Sequence, residues 1–331
     1  MAGTPDAPTL DLGMLYAPIA ADLDAARRVF RDELISDQGF ISDLCAHVAH
    51  FQGKSLRPAL LLLAGRACGE VRPAHHVLAA VVEMVHLATL VHDDVLDDAD
   101  IRRRAATVNR LWGNERAVLM GDFLISHAFH LCSSLDSQHA SRLIGRTTNT
   151  VCEGEMMQVA NRGNVELTQR EYIDIISRKT ASLIAASCEL GAHFADAPPP
   201  TVARLRRFGL SIGIAFQIID DVLDLTGDEI EAGKSLGRDV EKGKLTLPLI
   251  HFLGGASQAE KADMLALLGS DDARRHRQIA ARLQAAGSMQ FAIDAAAEYI
   301  RTAQAALAAL PAGAARDSLC VMADFVINRR R

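Results

Sequence analysis

The chain has 331 residues and a formal net charge of −6, enough length for a large buried core and no basic excess of the kind that nucleic-acid binding uses. Hydrophobic residues make up 49% and aromatic residues only 5%; alanine and leucine carry the apolar content, which suits helix better than strand. The six cysteines (Cys45, Cys68, Cys132, Cys152, Cys188, Cys320) form no CxxC pair, so neither a zinc site nor a redox motif is indicated, and free thiols in a reducing compartment are expected. The opening MAGTPDAPTLDLG lacks the basic-then-apolar order of a signal peptide, and no uninterrupted apolar run reaches membrane-spanning length. A cytoplasmic chain without an integral membrane segment is the expectation.

Residues 1–11 are small, polar and Pro-containing, and are expected to be disordered. From Leu12 to Cys45, and on through Val48 to Gly53, apolar residues recur at the three- and four-residue spacing of amphipathic helix. Further helical patterns cover Pro58–Cys68 and Ala74–Asp97, the latter hydrophobic nearly all round and so expected to be central. Ala117–Leu135, Arg142–Val159, Arg170–Phe194 and Thr201–Leu225 follow, and the alanine-rich last third keeps a helical period. Alternating strand patterns are scarce, no Asn-Gly or Asp-Gly hairpin signal occurs, and Pro198–Pro200 reads as a helix–helix loop. The prediction is a single all-α domain over residues 12–331, a large helical bundle.

Two acidic clusters end strongly apolar helical runs. Asp93-Asp94-Val95-Leu96-Asp97 follows VVEMVHLATLV, and Asp220-Asp221-Val222-Leu223-Asp224 follows FGLSIGIAF. Residues four apart share one helix face, so Asp93 and Asp97 point the same way, as do Asp220 and Asp224, and their like charges repel. A solvated acidic helix end accounts for one such cluster; two copies call for a compensating cation. Oxygen-only ligands suit magnesium, which uses one or two carboxylates and completes its shell with water and phosphate oxygens. Two such faces could clamp one diphosphate between several ions. The pattern is not that of a calcium-binding EF-hand loop.

Cations matching phosphate lie close by in sequence: Lys54 and Arg57, Arg102-Arg103-Arg104, Lys179, Lys234 and Lys244. Arginine forks grip phosphate oxygens in pairs and lysine supplies a point charge; each alone is more often a solvated surface charge. The Gly-Lys-Ser at 233–235 is not a nucleotide-binding loop, because position 228 is Asp and no strand precedes it.

In this order the motifs resemble the trans-isoprenyl diphosphate synthase family, over about residues 52–248. The likeness rests on G-K-x-x-R-P (53–58), H-x5-H-D-D-x-x-D (86–97), R-R (102–103) and G-D (121–122). It continues with E-G-E-x-x-Q (153–158), K-T (179–180), F-Q-I-I-D-D-x-x-D (216–224) and G-K-x-x-G-x-D-x3-G-K-x-T-L-P (233–248). The resemblance implies an isoprenoid-synthase-type bundle around a central apolar cavity. It implies magnesium, as three ions with bound diphosphate, on Asp93 and Asp97 and on Asp220 with Asp224. Arg102, Lys179 and Lys234 would hold the allylic diphosphate; Lys54, Arg57, His86 and Arg103 would hold isopentenyl diphosphate. Thr180 and Gln217 would line the reacting centre with help from Lys244. Without the family pattern, His86 reads as a core histidine. Departures from the pattern are Ser55, Arg104, where glycine is common, and Ala105.

Chain length in such an enzyme depends on the space below the first cluster. Ala88 and Thr89 are small where short-chain members carry an aromatic plug, and Met84, Val85 and Val81 further down are not aromatic. Phe123, His127 or His130 of the next helix could still close the tunnel. A long, octaprenyl- or solanesyl-like product of the kind used as a ubiquinone tail is expected, with a geranylgeranyl or medium-chain product as the alternative. A class I terpene cyclase and a non-catalytic subunit of a heteromeric synthase are the rivals of other classes. A homodimer is implied by the resemblance alone.

Overall fold

Helix makes up nearly all of the regular structure, as the alanine- and leucine-rich composition dictates. The computed structural model describes residues 12–51, 53–226, 237–270, 272 and 274–328; the segment 1–11 and Lys234 lie outside them. The elements begin with α1 (Leu12–Tyr16), a 3₁₀ turn (Ala17–Ile19), α2 (Ala20–Glu33), α3 (Gly39–Ala49), α4 (Leu56–Cys68) and α5 (Pro73–Leu96). A two-stranded ribbon of β1 (Ile101–Arg102) and β2 (Ala105–Ala106) precedes α6 (Val108–Trp112), α7 (Asn114–Ser134), α8 (Gln138–Ala160) and α9 (Gln169–Ile176). A π-helical turn (Ser177–Ala181) leads into α10 (Ser182–Phe194) and α11 (Pro199–Thr226). After α12 (Arg238–Glu241) come α13 (Leu247–Gly255), α14 (Gln258–Leu268), α15 (Arg275–Ala285), α16 (Ser288–Leu307) and α17 (Ala314–Asn328).

The periodic stretch Leu12–Cys45 is not one helix. Pro18 opens the 3₁₀ turn, because its missing N–H cannot continue a regular ladder, and α2 stops at Glu33. The period survives the breaks because Leu15, Ile19, Leu23, Ala26, Phe30, Leu44 and Val48 are all buried in the same core. Pro199 and Pro200 open α11 rather than lying in a loop, since first-turn amides have no intrahelical acceptor. The ribbon was not signalled either: Ile101 pairs with Ala106 and Arg102 with Ala105, and the turn between is made by Arg103 (φ 50°) and Arg104 (φ 65°). Two successive positive φ values are the geometry of a type I′ turn, here made by residues that favour it poorly.

The most buried helices are α4, α5, α10 and α11. Residues 59–64 of α4 are wholly inaccessible. Helix α5 packs against α2, α4, α7 and α10, and α11 against α10 and α16. Over its 24 residues α5 is long and apolar enough to cross a membrane by length and composition, which the uninterrupted-run criterion missed; 67% of its apolar window is buried inside the bundle, as for the central helix of a large core. Both acidic clusters stand at the C-terminal ends of such buried helices, α5 and α11.

Candidate active site

Within each cluster the middle aspartate is the most deeply buried. Asp94 is 1% exposed and Asp221 is 1% exposed, whereas Asp93, Asp97 and Asp220 are partly open. Asp94 accepts from Arg102 Nε at 2.8 and 2.9 Å, and Arg102 Nη2 lies 2.7 Å from its Oδ1. Burial pushes the Asp94 carboxyl up, and Arg102 opposes this. The β-ribbon thus hangs Arg102 on the inner side of the cluster, beside the outward face formed by Asp93 and Asp97.

Asp221 is the hub of the second cluster. It accepts from Tyr172 Oη at 2.7 Å, Gln217 Nε2 at 2.7 Å and Lys244 Nζ at 3.1 Å. Lys244 also reaches Asp239 Oδ1 at 3.3 Å. Burial alone would lower the Lys244 ammonium, but the charges of Asp221 and Asp239 outweigh it and hold the lysine protonated far above its ordinary range. Gln217, fixed by Asp221, accepts in turn from Thr180 Oγ1 at 2.9 Å. Asp224 is buried, and its Oδ2 accepts the N–H of Asp239 at 3.1 Å, anchoring the start of α12.

Two short segments join the clusters. In the π turn, Lys179 Nζ lies 3.5 Å from Asp93 Oδ2 and pairs closely with Glu155, while its neighbour Thr180 faces Gln217 of the second cluster. After α12, Lys242 Nζ lies 2.7 Å from Asp97 Oδ2, and Lys244 two residues on lies 3.1 Å from Asp221. Arg162, after α8, donates to Asp97 Oδ1 at 3.2 Å. Gly154 of α8 gives the π turn room: a Cβ there would stand 2.4 Å from the Lys179 backbone nitrogen. Burial and the Asp93 charge raise the Glu155 carboxyl against the pull of Lys179.

A second cationic group lies beside α5. Burial holds His86 well below the ordinary histidine range, reinforced by the charges of Arg57, Arg103 and Arg102, so the imidazole is neutral and can accept or donate one hydrogen bond. Burial brings Arg57 down to about 10, with Glu83 opposing and Arg103 assisting, and its Nε is buried without a hydrogen-bond partner. Glu83, one turn before His86 and buried, is raised by its burial and lowered by Arg57, Arg103 and Arg27. Arg103 donates to the Phe51 carbonyl. Lys54 stands apart, with Nζ 5.9 Å from the Phe325 ring centroid.

The expected tunnel residues fall into two groups. At ~100° per residue, Thr89 lies on the Asp93 face of α5, and it is partly open, its Oγ1 donating to the His86 carbonyl at 2.7 Å. Ala88, Met84 and Val85 are 0%, 0% and 1% exposed, so no water-sized space opens beside them. At these positions the expected cavity is closed by neighbouring helices. The Phe123 and His127 rings lie tilted by 49° with centroids 4.2 Å apart, and His127 and His130 both bond Glu33 Oε1, at 2.9 and 2.8 Å.

Glu83, Arg162 and Lys242 were not among the expected site residues, and Glu155 and Asp239 stood in the motifs without a role. Glu83 had a visible signal, a lone acid inside the apolar VVEMV. Among the described residues no three His, Cys, Asp or Glu side chains are set to hold an ion unaided. Paired carboxylates with open faces beside phosphate-binding cations fit a hard cation that takes most of its shell from water and phosphate.

Residues 38–285 match the family described as polyprenyl synthetase. Over 94% of its length the chain is 34% identical to the octaprenyl diphosphate synthase of Escherichia coli strain K12, of which it covers 97%. It is equally 34% identical, over 86% of its length and 88% of the relative, to a short chain isoprenyl diphosphate synthase of Methanothermobacter thermautotrophicus. The crystal structure of polyprenyl synthase from Caulobacter crescentus CB15 complexed with calcium and isoprenyl diphosphate matches with a TM-score of 0.90 at 35% identity, covering 98% of this chain and 100% of that one.

Proposed function

The chain belongs to the polyprenyl synthetase family and is a trans-polyprenyl diphosphate synthase, and from that premise we propose its substrates, metal and site residues. It condenses isopentenyl diphosphate head to tail with an allylic diphosphate. The observation that carries the assignment of residues is the double bridge: Lys179–Thr180 and Lys242–Lys244 each span from one aspartate cluster to the other. A diphosphate seated between the clusters meets carboxylates that take a cation and ammonium groups already aimed inward.

Asp93 and Asp97 on one side, and Asp220 with Asp224 on the other, would hold magnesium, whose chemistry is to neutralise charge growing on the leaving diphosphate. Arg102, oriented by Asp94, and Lys179 bind the same group, with Lys234 expected to join them. Arg57, Arg103 and neutral His86 bind isopentenyl diphosphate, with Lys54 at the edge. As the C–O bond to the allylic diphosphate breaks, the isopentenyl double bond attacks the allylic carbon and a proton leaves the adjacent carbon. Thr180 and Gln217 present oxygens toward the cationic carbon, and their mutual hydrogen bond fixes both. The departing diphosphate, held by Lys179 and Arg102, is the base.

We place the product among the long chains, serving as a quinone tail such as that of ubiquinone, because no aromatic residue stands on the Asp93 face at Thr89, Val85 or Val82. The closed packing of Met84, Val85 and Ala88 favours a second reading, a geranylgeranyl or medium-chain product. The enzyme is assigned to the cytoplasm. It is assigned as a homodimer on the strength of exposed Val118, Leu119 and Phe129 on α7 and Met156 and Val159 on α8, an apolar surface that a second copy would cover; sedimentation of Leu119→Lys as a monomer beside a native dimer tests this. The function is tested by incubating the purified chain with Mg²⁺, farnesyl diphosphate and labelled isopentenyl diphosphate and sizing the dephosphorylated products. A ladder ending in a long alcohol is expected. Failure to incorporate label with any allylic primer would overturn the assignment.

A further inference from the structure

Asp97 caps the C-terminus of α5, its N–H bonded to the Asp93 carbonyl at 2.9 Å. It therefore sits at the negative end of a long helix dipole, beside Asp93 and Asp94, where a further negative charge is disfavoured. Its carboxylate is nevertheless held by two cations from separate turns, Arg162 on Oδ1 at 3.2 Å and Lys242 on Oδ2 at 2.7 Å. The two turns are themselves joined, since the Gly163 N–H donates to the Gly243 carbonyl at 2.7 Å. Both glycines have positive φ, 73° and 66°, and a Cβ on Gly243 would stand 3.2 Å from the Gly163 nitrogen. Each cation thus precedes a glycine whose conformation lets the turns meet over Asp97. Arg162 lies outside the sequence motifs that carry the phosphate-binding residues, and Lys242 occupies an unspecified position within the last of them.

We propose that Arg162 and Lys242 are built-in counter-cations of the first aspartate cluster, occupying both oxygens of Asp97 until a divalent ion displaces them. The inference rests on the reading of Asp93 and Asp97 as metal ligands. Binding of a metal ion alone is opposed by two pre-formed ion pairs on one of its ligands. Each pair is only partly shielded, with Asp97 at 27%, Arg162 at 33% and Lys242 at 29% side-chain exposure, so each weakens metal binding modestly.

The test is calorimetric titration of Mn²⁺ into the substrate-free full chain, with Arg162→Gln, Lys242→Gln and the double variant beside the native protein. A control, Arg104→Gln/Arg282→Gln, removes the same charge at exposed positions. The double variant should bind Mn²⁺ roughly three- to tenfold more tightly than the native chain, as expected for loss of two partly exposed pairs, and each single variant should give part of that gain. The control should stay within about twofold of native, and higher salt should narrow the difference. Equal affinity in the native chain and double variant, or a control that tightens as much, overturns the proposal while leaving the metal reading in place. Absence of Mn²⁺ binding in both overturns the metal reading and the proposal together, whereas binding by the double variant alone supports both.

Discussion

Replacing Asp221 with asparagine changes the second cluster by almost no volume and by one charge. Three donors converge on this carboxylate from Tyr172, Gln217 and Lys244 at 2.7, 2.7 and 3.1 Å. An asparagine offers them one oxygen and turns an NH₂ donor toward the remainder. Lys244, with a side chain 17% exposed, keeps its ion pair to Asp239 at 3.3 Å and loses the closer one to Asp221. Breaking a buried pair by removing one partner costs about 3–5 kcal/mol, a large share of the roughly 5–15 kcal/mol that holds a typical protein folded. The measurement is urea unfolding followed by circular dichroism on native, Asp221→Asn, Lys244→Gln and the double variant. The double variant should recover part of the loss, with a coupling of about 1–3 kcal/mol, because the stranded ammonium is the costly element. Asp93→Asn, partly exposed and relieved of like charges, should stay within ~1 kcal/mol of native while losing activity. If Asp221→Asn unfolds at the native midpoint, the division between a structural middle aspartate and functional outer ones is wrong.

Thr89→Phe should shorten the product with little loss of stability, because the ring enters the Asp93 face; Ala88→Phe, at a fully buried site, should cost about 1–3 kcal/mol or more by overpacking, and product sizing with unfolding curves separates them. His86 is held neutral in the fold, so an unfolded histidine takes up its proton first as pH falls. Native stability should therefore decline below the unfolded value of 6.5, and His86→Asn should lose less between pH 7 and pH 5 than the native chain. Arg104→Gly should raise stability by ~1 kcal/mol, since Arg104 occupies a left-handed conformation at φ 65° that costs a side-chain-bearing residue about that much; an unchanged or lower midpoint would contradict the turn geometry.

The helices around the acidic clusters were legible because they carry a long apolar period ending in an unmistakable polar pattern. What the pattern did not carry was the inequality of the aspartates. Spacing puts Asp93 and Asp97 on one face, but only packing shows that Asp94 and Asp221 turn inward to hold Arg102 and Lys244. Asp224 illustrates the same gap: paired with Asp220 by spacing, it spends one oxygen on the Asp239 amide. Arg162 and Lys242 sit in turns without a period, so their common target appears only in three dimensions. The small Ala88 and the non-aromatic Met84 suggested space, but emptiness depends on the neighbours, which composition along one helix does not report. The Arg103–Arg104 turn was hidden because its residues are not those the turn favours.

The π turn at Ser177–Ala181 sets the phase between two halves of what would otherwise be one rod. Tyr172 and Thr180 are eight positions apart, and along an unbroken α-helix at ~100° per residue their side chains would diverge by about 80°. One additional residue absorbed in the wider turn reduces that divergence to about 20°, so Tyr172 meets Asp221 and Thr180 meets Gln217 on the same flank of α11. The turn behaves as a one-residue phase shifter. Deleting Ser177 would leave the two residues seven positions apart, again about 20° on a regular α-helix, so both contacts with α11 would survive, whereas straightening the turn at its full length would swing them about 80° apart and break one of them.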